Sequence, residues 1–216
     1  MELKTLVDHL QKRIQQPLPG YQAQLGLYSA QGLSDYEKHL QNFEQESDRN
    51  PARQSGVLIL LYEKDGRVFL PLIQRPEYEG VHSGQIALPG GKAEPEDQDI
   101  IATALRETRE EIGVSGEHIV VLGTLTPVYI PPSRFWVNVV LAYSPSIPPF
   151  IPDKREVASV IEFPLEHLSN PDFVEDREVI RAQQWKMRAP GYVYEDHFIW
   201  GATSMILTEL RELVKN

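Results

Sequence analysis

Cysteine is absent from all 216 residues. That excludes disulfides, thiolate nucleophiles and cysteine-type zinc sites, so any metal must sit on oxygen or imidazole. Imidazole is poorly placed for this, because His9, His39, His118, His167 and His197 are isolated and His82 is a single loop histidine. Long apolar runs are also missing, and no stretch approaches the roughly 20 residues that span a bilayer. Positive charge is scarce: 21 Lys and Arg against 31 Asp and Glu give a formal net charge of −10. Such a chain repels polyanions at long range, and with no local basic stripe no stable binding to duplex nucleic acid is expected. A small anionic ligand is still compatible if a few cations converge. The segment Met1 to Gln16 carries Leu3, Leu6, Val7, Leu10 and Ile14 at helical spacing, with Glu2 and Asp8 among them, unlike a signal or targeting segment. We expect a cytoplasmic protein without membrane or nucleic-acid partners.

What is present is an ordinary globular composition, 41% apolar and 24% charged, enough for one sizeable core. Residues 1–50 read as an N-terminal helical extension: a helix, a break at Pro17–Gly20 and a polar stretch ending in Glu44–Asn50. The main domain, 51–216, opens with Gly56 to Tyr62, turns at Lys64-Asp65-Gly66 and returns with Val68 to Ile73, a buried β-hairpin. A glycine-rich loop follows. From Asp99 to Ile112 the apolar period becomes helical, with Asp97 or Asp99 to cap the start and Gly113 to end it. Further strands are predicted at Ile119–Gly123, Phe135–Tyr143 and Val157–Phe163, with an irregular Pro-rich loop from Ser144 to Asp153. A last helix carries Ala202, Met205, Ile206, Leu210 and Leu213 on one stripe, which reads as core packing.

The helix after Asp99 concentrates the chemistry. At about 100° per residue, Glu107, Glu110 and Glu111 lie on one arc bordering the apolar stripe. Three like charges at i, i+3 and i+4 repel each other, more so when partly desolvated. A divalent cation would offset that, and a hard ion that keeps waters and phosphate oxygens in its shell suits a patch without soft ligands. Arg106 neighbours Glu110 on the wheel and can orient or partly neutralise it. The hexapeptide Arg106 to Glu111 alone would read as a solvated, salt-bridged face. Upstream, however, stands Leu88-Pro-Gly-Gly-Lys92, where paired glycines let the backbone approach a ligand. Loop, carboxylate helix and terminating glycine together are far more specific than any one of them.

Arg106-Glu-Thr-Arg-Glu-Glu-Ile-Gly-Val114 resembles the second half of the Nudix box, Arg-Glu-U-x-Glu-Glu-x-Gly-U with U usually aliphatic. The first half is shifted by one residue: the box's Gly and Glu places hold Lys92 and Gln98, the glycine pair ends at Gly91, and Asp97 and Asp99 flank the vacant Glu place. That shift resembles the coenzyme A pyrophosphatase branch of the family. So do Leu72-Ile-Gln-Arg75, the run from Val81 to Gly91, Glu156-Val157 leading to Phe163-Pro-Leu165, and Ile199 to Thr203. Other signature positions depart from the branch, at Pro76, Gly80 and Leu88.

The resemblance implies an α/β fold, an α/β/α sandwich with a mixed β-sheet, and Mg2+ or Mn2+ dependence. It implies hydrolysis of coenzyme A or its thioesters to 3′,5′-ADP and 4′-phosphopantetheine. In that reading Glu107 and Glu111 are the principal metal ligands and Glu110 a further ligand or the base. Gly90 and Gly91 shape the site, and Arg75 and Lys92 are candidate phosphate partners. Glu156 is weighed as a general base against a structural role. The rival readings are a Nudix pyrophosphatase acting on ADP-ribose, a dinucleotide or a nucleoside triphosphate, a nucleotide-sensing module that does not cleave, and an acidic structural domain. The sequence is compatible with a monomer or a homodimer.

Overall fold

The computed structural model describes residues 2–46, 51–77, 84–131, 133–181 and 185–215. Three helices come first: α1 (Leu3–Arg13), α2 (Gly20–Gln24) and α3 (Ala30–Glu46). The hairpin strands β1 (Arg53–Lys64) and β2 (Arg67–Gln74) follow, then the short β3 (Ile86–Ala87) and β4 (Gly90–Lys92), and the helix α4 (Ile100–Ile112). Next are β5 (Val120–Thr124), β6 (Val128–Ile130), β7 (Phe135–Tyr143) and β8 (Ser159–Pro164). The chain closes with β9 (Val174–Arg181), β10 (Trp185–Tyr194), β11 (His197–Trp200) and α5 (Gly201–Val214).

β1 is the axis of a mixed sheet. It runs parallel to β7, from Arg53 beside Phe135 to Leu61 beside Tyr143, and antiparallel to β2 and β4 on its other edge. Because side chains alternate along a strand, β1 feeds two cores. Leu58 and Leu60 join Val140 and Ala142 against Ala104 and Ile112 of α4. Ile59 and Leu61 join Val139 and Leu141 against Leu6 and Leu10 of α1 and Leu207 and Leu210 of α5. The result is the expected layering, helix on both faces of a mixed sheet. Each fully buried Leu or Ile contributes about 1.5–3 kcal/mol, so both faces are needed to hold β1 centrally.

The hairpin, α4, β7, the irregular loop and α5 fall where the sequence puts them. Three features do not. The polar stretch after α2 is helical as α3, with Leu33 and Tyr36 set against the core at a spacing of three. Gly90–Lys92, read as loop, is a strand paired with Ser55–Val57. The strands β9, β10 and β11 form a separate three-stranded antiparallel sheet, in the order β11-β10-β9, so Ile199 and Trp200 end a strand and α5 begins at Gly201. His82 and the segment 78–83 lie outside the described residues. Among the described residues no helix is long and apolar enough to cross a membrane.

Candidate active site

The carboxylate helix is fixed at both ends and along its length. Asp99 caps it, accepting a 2.8 Å hydrogen bond from Ala102 N. Gly113 ends it in the left-handed region at φ 75°, a conformation that a side chain disfavours. The Pro-rich loop then closes the open end: Ile151 N donates to Ile112 O at 2.8 Å and Asp153 N to Glu111 O at 3.0 Å. Below the helix lies β4. Gly91 is packed so closely that a Cβ there would sit 2.5 Å from both oxygens of Glu107.

Glu111 is not at the border of the buried face but inside it, at 3% exposure. Its Oε2 accepts a 2.8 Å hydrogen bond from the backbone N–H of Gly90. Burial pushes its pKa up to about 7, with the charges of Glu107 and Glu156 adding and the Gly90 N–H and the Arg75 guanidinium opposing. Glu107 is raised in the same direction, first by burial, then by Glu110 and Glu156, against the pull of Arg106. Glu110 stands at the rim, its side chain 48% exposed. Two charged residues outside the helix therefore act on its carboxylates: Arg75 from the end of β2 and Glu156 from the turn after the Pro-rich loop. That turn is built by Glu156 N and Val157 N donating to Asp153 O at 3.0 and 2.8 Å, and Asp153 is itself tied to α4.

Arg106 joins the helix to the loop before it. Its Nε and Nη2 donate to the two oxygens of Asp97, and its Nη1 to Glu107 Oε1 at 2.9 Å and Glu110 Oε2 at 3.0 Å. This hydrogen bonding holds the Asp97 carboxyl well below the usual carboxylate range. The helical wheel puts Arg106 beside Glu110, whereas the sequence offers Asp97 as a capping candidate and as a neighbour of the vacant Glu place, not as a partner of Arg106. Lys92 is exposed, and its carbonyl accepts from Arg106 Nη2 at 3.1 Å.

Glu107, Glu111, Gly90 and Gly91 are thus brought together, with Glu110 at the edge and Arg75 and Glu156 in electrostatic reach. Among the described residues no three acidic or histidine groups are already converged as a metal cage, and Arg106 and Gly90 each hold carboxylate oxygens. The donor set nevertheless fits a hard divalent cation. It offers only oxygen, its burial penalises unneutralised negative charge, and among the described residues Glu107 Oε2 and Glu111 Oε1 accept no hydrogen bond.

A glycine strand beneath a glutamate helix, on a mixed sheet covered by helices on both faces, is the arrangement of one class of hydrolase. Residues 52–183 match the NUDIX domain, and the chain belongs to the Nudix family of hydrolases, whose members generally use divalent metals. The chain is 37% identical over 152 residues to the human mitochondrial coenzyme A diphosphatase NUDT8, covering 70% of this chain and 61% of that protein. It is 34% identical over 162 residues to an uncharacterized Nudix hydrolase, NudL, of Yersinia pestis, covering 75% of this chain and 80% of the relative. The chain thus spans less than two thirds of the human protein's length. The crystal structure of a Nudix hydrolase from M. smegmatis, RenU, superposes with a TM-score of 0.53 at 17% identity, covering 75% of this chain and 85% of the other, a likeness of fold.

Proposed function

We propose that the protein hydrolyses the pyrophosphate bond of coenzyme A or an acyl-coenzyme A, using Mg2+ or Mn2+, and releases 3′,5′-ADP and (acyl-)4′-phosphopantetheine. The observation that carries the hydrolytic part is the buried Glu111 beside Glu107 on the Gly90–Gly91 strand. Two carboxylates at this depth are disfavoured as anions unless a cation joins them. The substrate class is supported by the shifted glycine pair and by the likeness to a protein named a coenzyme A diphosphatase.

In this reading Glu107 and Glu111 hold the cation, with Glu110 as a further ligand or as the base. A bound divalent cation supplies Lewis-acid neutralisation of the pyrophosphate oxygens. Glu110 and Glu156 are the carboxylates around the site that Gly90 and Gly91 do not engage, and one of them takes the proton of the attacking water. Water oxygen bonds to phosphorus, the bridging oxygen leaves with the other half of the substrate, and the proton lost from water balances the charge. Arg75 and Lys92 contact phosphate, and the backbone at Gly90 and Gly91 shapes the floor. The partner is a small nucleotide-containing molecule, met in the cytoplasm.

Comparing kcat/KM for coenzyme A, dephospho-coenzyme A and ADP-ribose, with products identified, tests the substrate. Coenzyme A is expected to be preferred to ADP-ribose. Loss of the 3′-phosphate is expected to cost roughly ten-fold or more, since a charge-assisted contact is worth about 1.5–3 kcal/mol. A clear preference for ADP-ribose would replace coenzyme A while leaving the hydrolase reading intact.

A further inference from the structure

Between the helices of the N-terminal extension and α5 lies an open cavity of about 430 Å3, within the size range of small-ligand pockets. It belongs to the helical layer on the sheet face away from α4, and so away from Glu107 and Glu111. Arg13 in the last turn of α1, Gln22 of α2, and Arg211 and Glu212 of α5 line it. Arg13 Nη1 donates to Pro17 O at 2.9 Å, and among the described residues no carboxylate pairs with this guanidinium. Arg211 reaches Glu212 Oε1 through Nε and Nη2, both at 3.0 Å. Glu212 is shared, however, because Lys215 Nζ donates to its two oxygens at 2.7 and 2.9 Å. Three cations therefore face one carboxylate here, in a chain whose formal net charge is −10. Glu209, the next acid along α5, is fully buried and accepts from Gly20 N, Gln24 Nε2 and Thr126 Oγ1. It pairs with neither arginine, and even with its charge counted the excess stays positive. Gly26 keeps the space beside Arg211 open: a Cβ there would sit 3.7 Å from Arg211 Nη2 and 3.0 Å from Ala23 O.

We propose that this cavity is a second anion site, which binds the phosphate of a small phosphate monoester between Arg13 of the extension and Arg211 of α5. The planar fork of a guanidinium matches two phosphate oxygens. A carboxylate has only two oxygens and is satisfied by one such fork, whereas a tetrahedral phosphate presents a third to a guanidinium that approaches from another element. The volume exceeds what a bare phosphate fills and leaves room for the carbon part of an ester beside Gln22. Because Arg13 and Arg211 stand on separate elements, the bound phosphate would also tie the extension to the domain. This site is distinct from the pyrophosphate site and does not rest on the metal reading.

The test is a magnetic-resonance titration of the full-length nitrogen-15-labelled protein, in chelator and at constant ionic strength so that screening does not change. The Nε–Hε signals of Arg13 and Arg211 are read against glycerol 3-phosphate, inorganic phosphate and acetate. Both signals are expected to shift saturably with glycerol 3-phosphate, less tightly with inorganic phosphate, and not with acetate at the same concentrations. Arg13→Gln is expected to raise the Kd, read at Arg211, by about ten-fold or more, the loss of one charge-assisted contact. Gly26→Ala keeps every charge and sets a methyl group beside Arg211 Nη2; it is expected to weaken binding in the same direction, and it decides the matter if Arg13→Gln does not fold. Lys12→Gln removes an exposed charge outside the cavity, and Arg75→Gln alters only the catalytic side; both are expected to leave the Kd unchanged. Absence of a saturable shift at the two arginines, an equal response to acetate, or an equal loss in Lys12→Gln or Arg75→Gln overturns the proposal. Equal Kd values for inorganic phosphate and the ester would overturn the ester and leave free phosphate as the ligand.

Discussion

The backbone N–H of Gly90 donates to Glu111 Oε2 at 2.8 Å across the packing of a strand on a helix. A hydrogen bond to a buried ionisable group contributes about 1.5–3 kcal/mol to whichever state it favours, and here it favours the carboxylate. Burial works against it and dominates, holding Glu111 near pKa 7. The site is therefore built so that added positive charge, rather than the protein alone, completes the ionised form.

Gly91 gives the sharpest steric consequence. Gly91→Ala places a methyl group 2.5 Å from both oxygens of Glu107, so the carboxylate must move. Overpacking of this kind costs about 1–3 kcal/mol of stability, which a fold of this size tolerates. Turnover is expected to fall by at least ten-fold while the far-ultraviolet spectrum is retained; wild-type turnover in this variant would remove Glu107 from the site.

Metal is expected to stabilise as well as activate. A ligand at 100 times its Kd adds about 2.7 kcal/mol to the folded state. Thermal melts should therefore rise with added Mg2+ or Mn2+ and return to the starting value in excess chelator, with turnover abolished. Equal melts and equal rates in chelator would mean that the carboxylates serve some other purpose.

Acid stability follows from Asp97. Its folded pKa is depressed, chiefly by the Arg106 hydrogen bonds. A depressed carboxylate contributes stability above its unfolded pKa, about 3.9, and loses it as pH falls through the folded value. Asp97→Asn is expected to be less stable than wild type at pH 7 and to show a shallower decline below pH 4. Denaturant unfolding across pH 2–7 checks this, and parallel curves would contradict it.

Leu10 of α1 is fully buried in the same core as Leu207 and Leu210 of α5. Leu10→Ala is expected to cost about 2–5 kcal/mol in denaturant unfolding, although the residue lies far from the glutamates in sequence. A loss below about 0.5 kcal/mol, the usual range for surface substitutions, would show that the N-terminal helix is only loosely attached.

Local signals carried most of what was legible. The β1–β2 hairpin and α4 announce themselves through period, caps and turn residues within a dozen positions. The sheet of β9 to β11 does not, because β9 carries Glu175, Asp176, Arg177 and Glu178 in succession, with Asp176 and Glu178 in cross-strand ion pairs with Arg188 and Lys186 and Glu175 paired with Arg177 along the strand, and so reads as a polar coil. β4 was hidden for another reason: two glycines and a lysine have no strand propensity, and their pairing with β1 is decided by a partner about 35 residues away. The three glutamates are readable at helical spacing, but the depth of Glu111 is not, since it is set by packing from outside the helix, where Gly90 meets its carboxylate. The clamp of Asp97 on Arg106 had a faint signal, an acid beside the vacant box position. Glu156 reaches the site only through the docking of Asp153 on the end of α4, a tertiary relation that no local pattern encodes.

The most direct test of the account is kcat for coenzyme A at saturating Mg2+ in wild type and in Glu111→Gln. Glutamine keeps the size of the side chain and an oxygen for the Gly90 N–H, and it removes a charge that burial disfavours, so the fold is expected to be kept. The account predicts that turnover falls by about a hundred-fold or more, a loss of some 2.7 kcal/mol of transition-state stabilisation. A folded Glu111→Gln protein that turns over coenzyme A at the wild-type rate would contradict it.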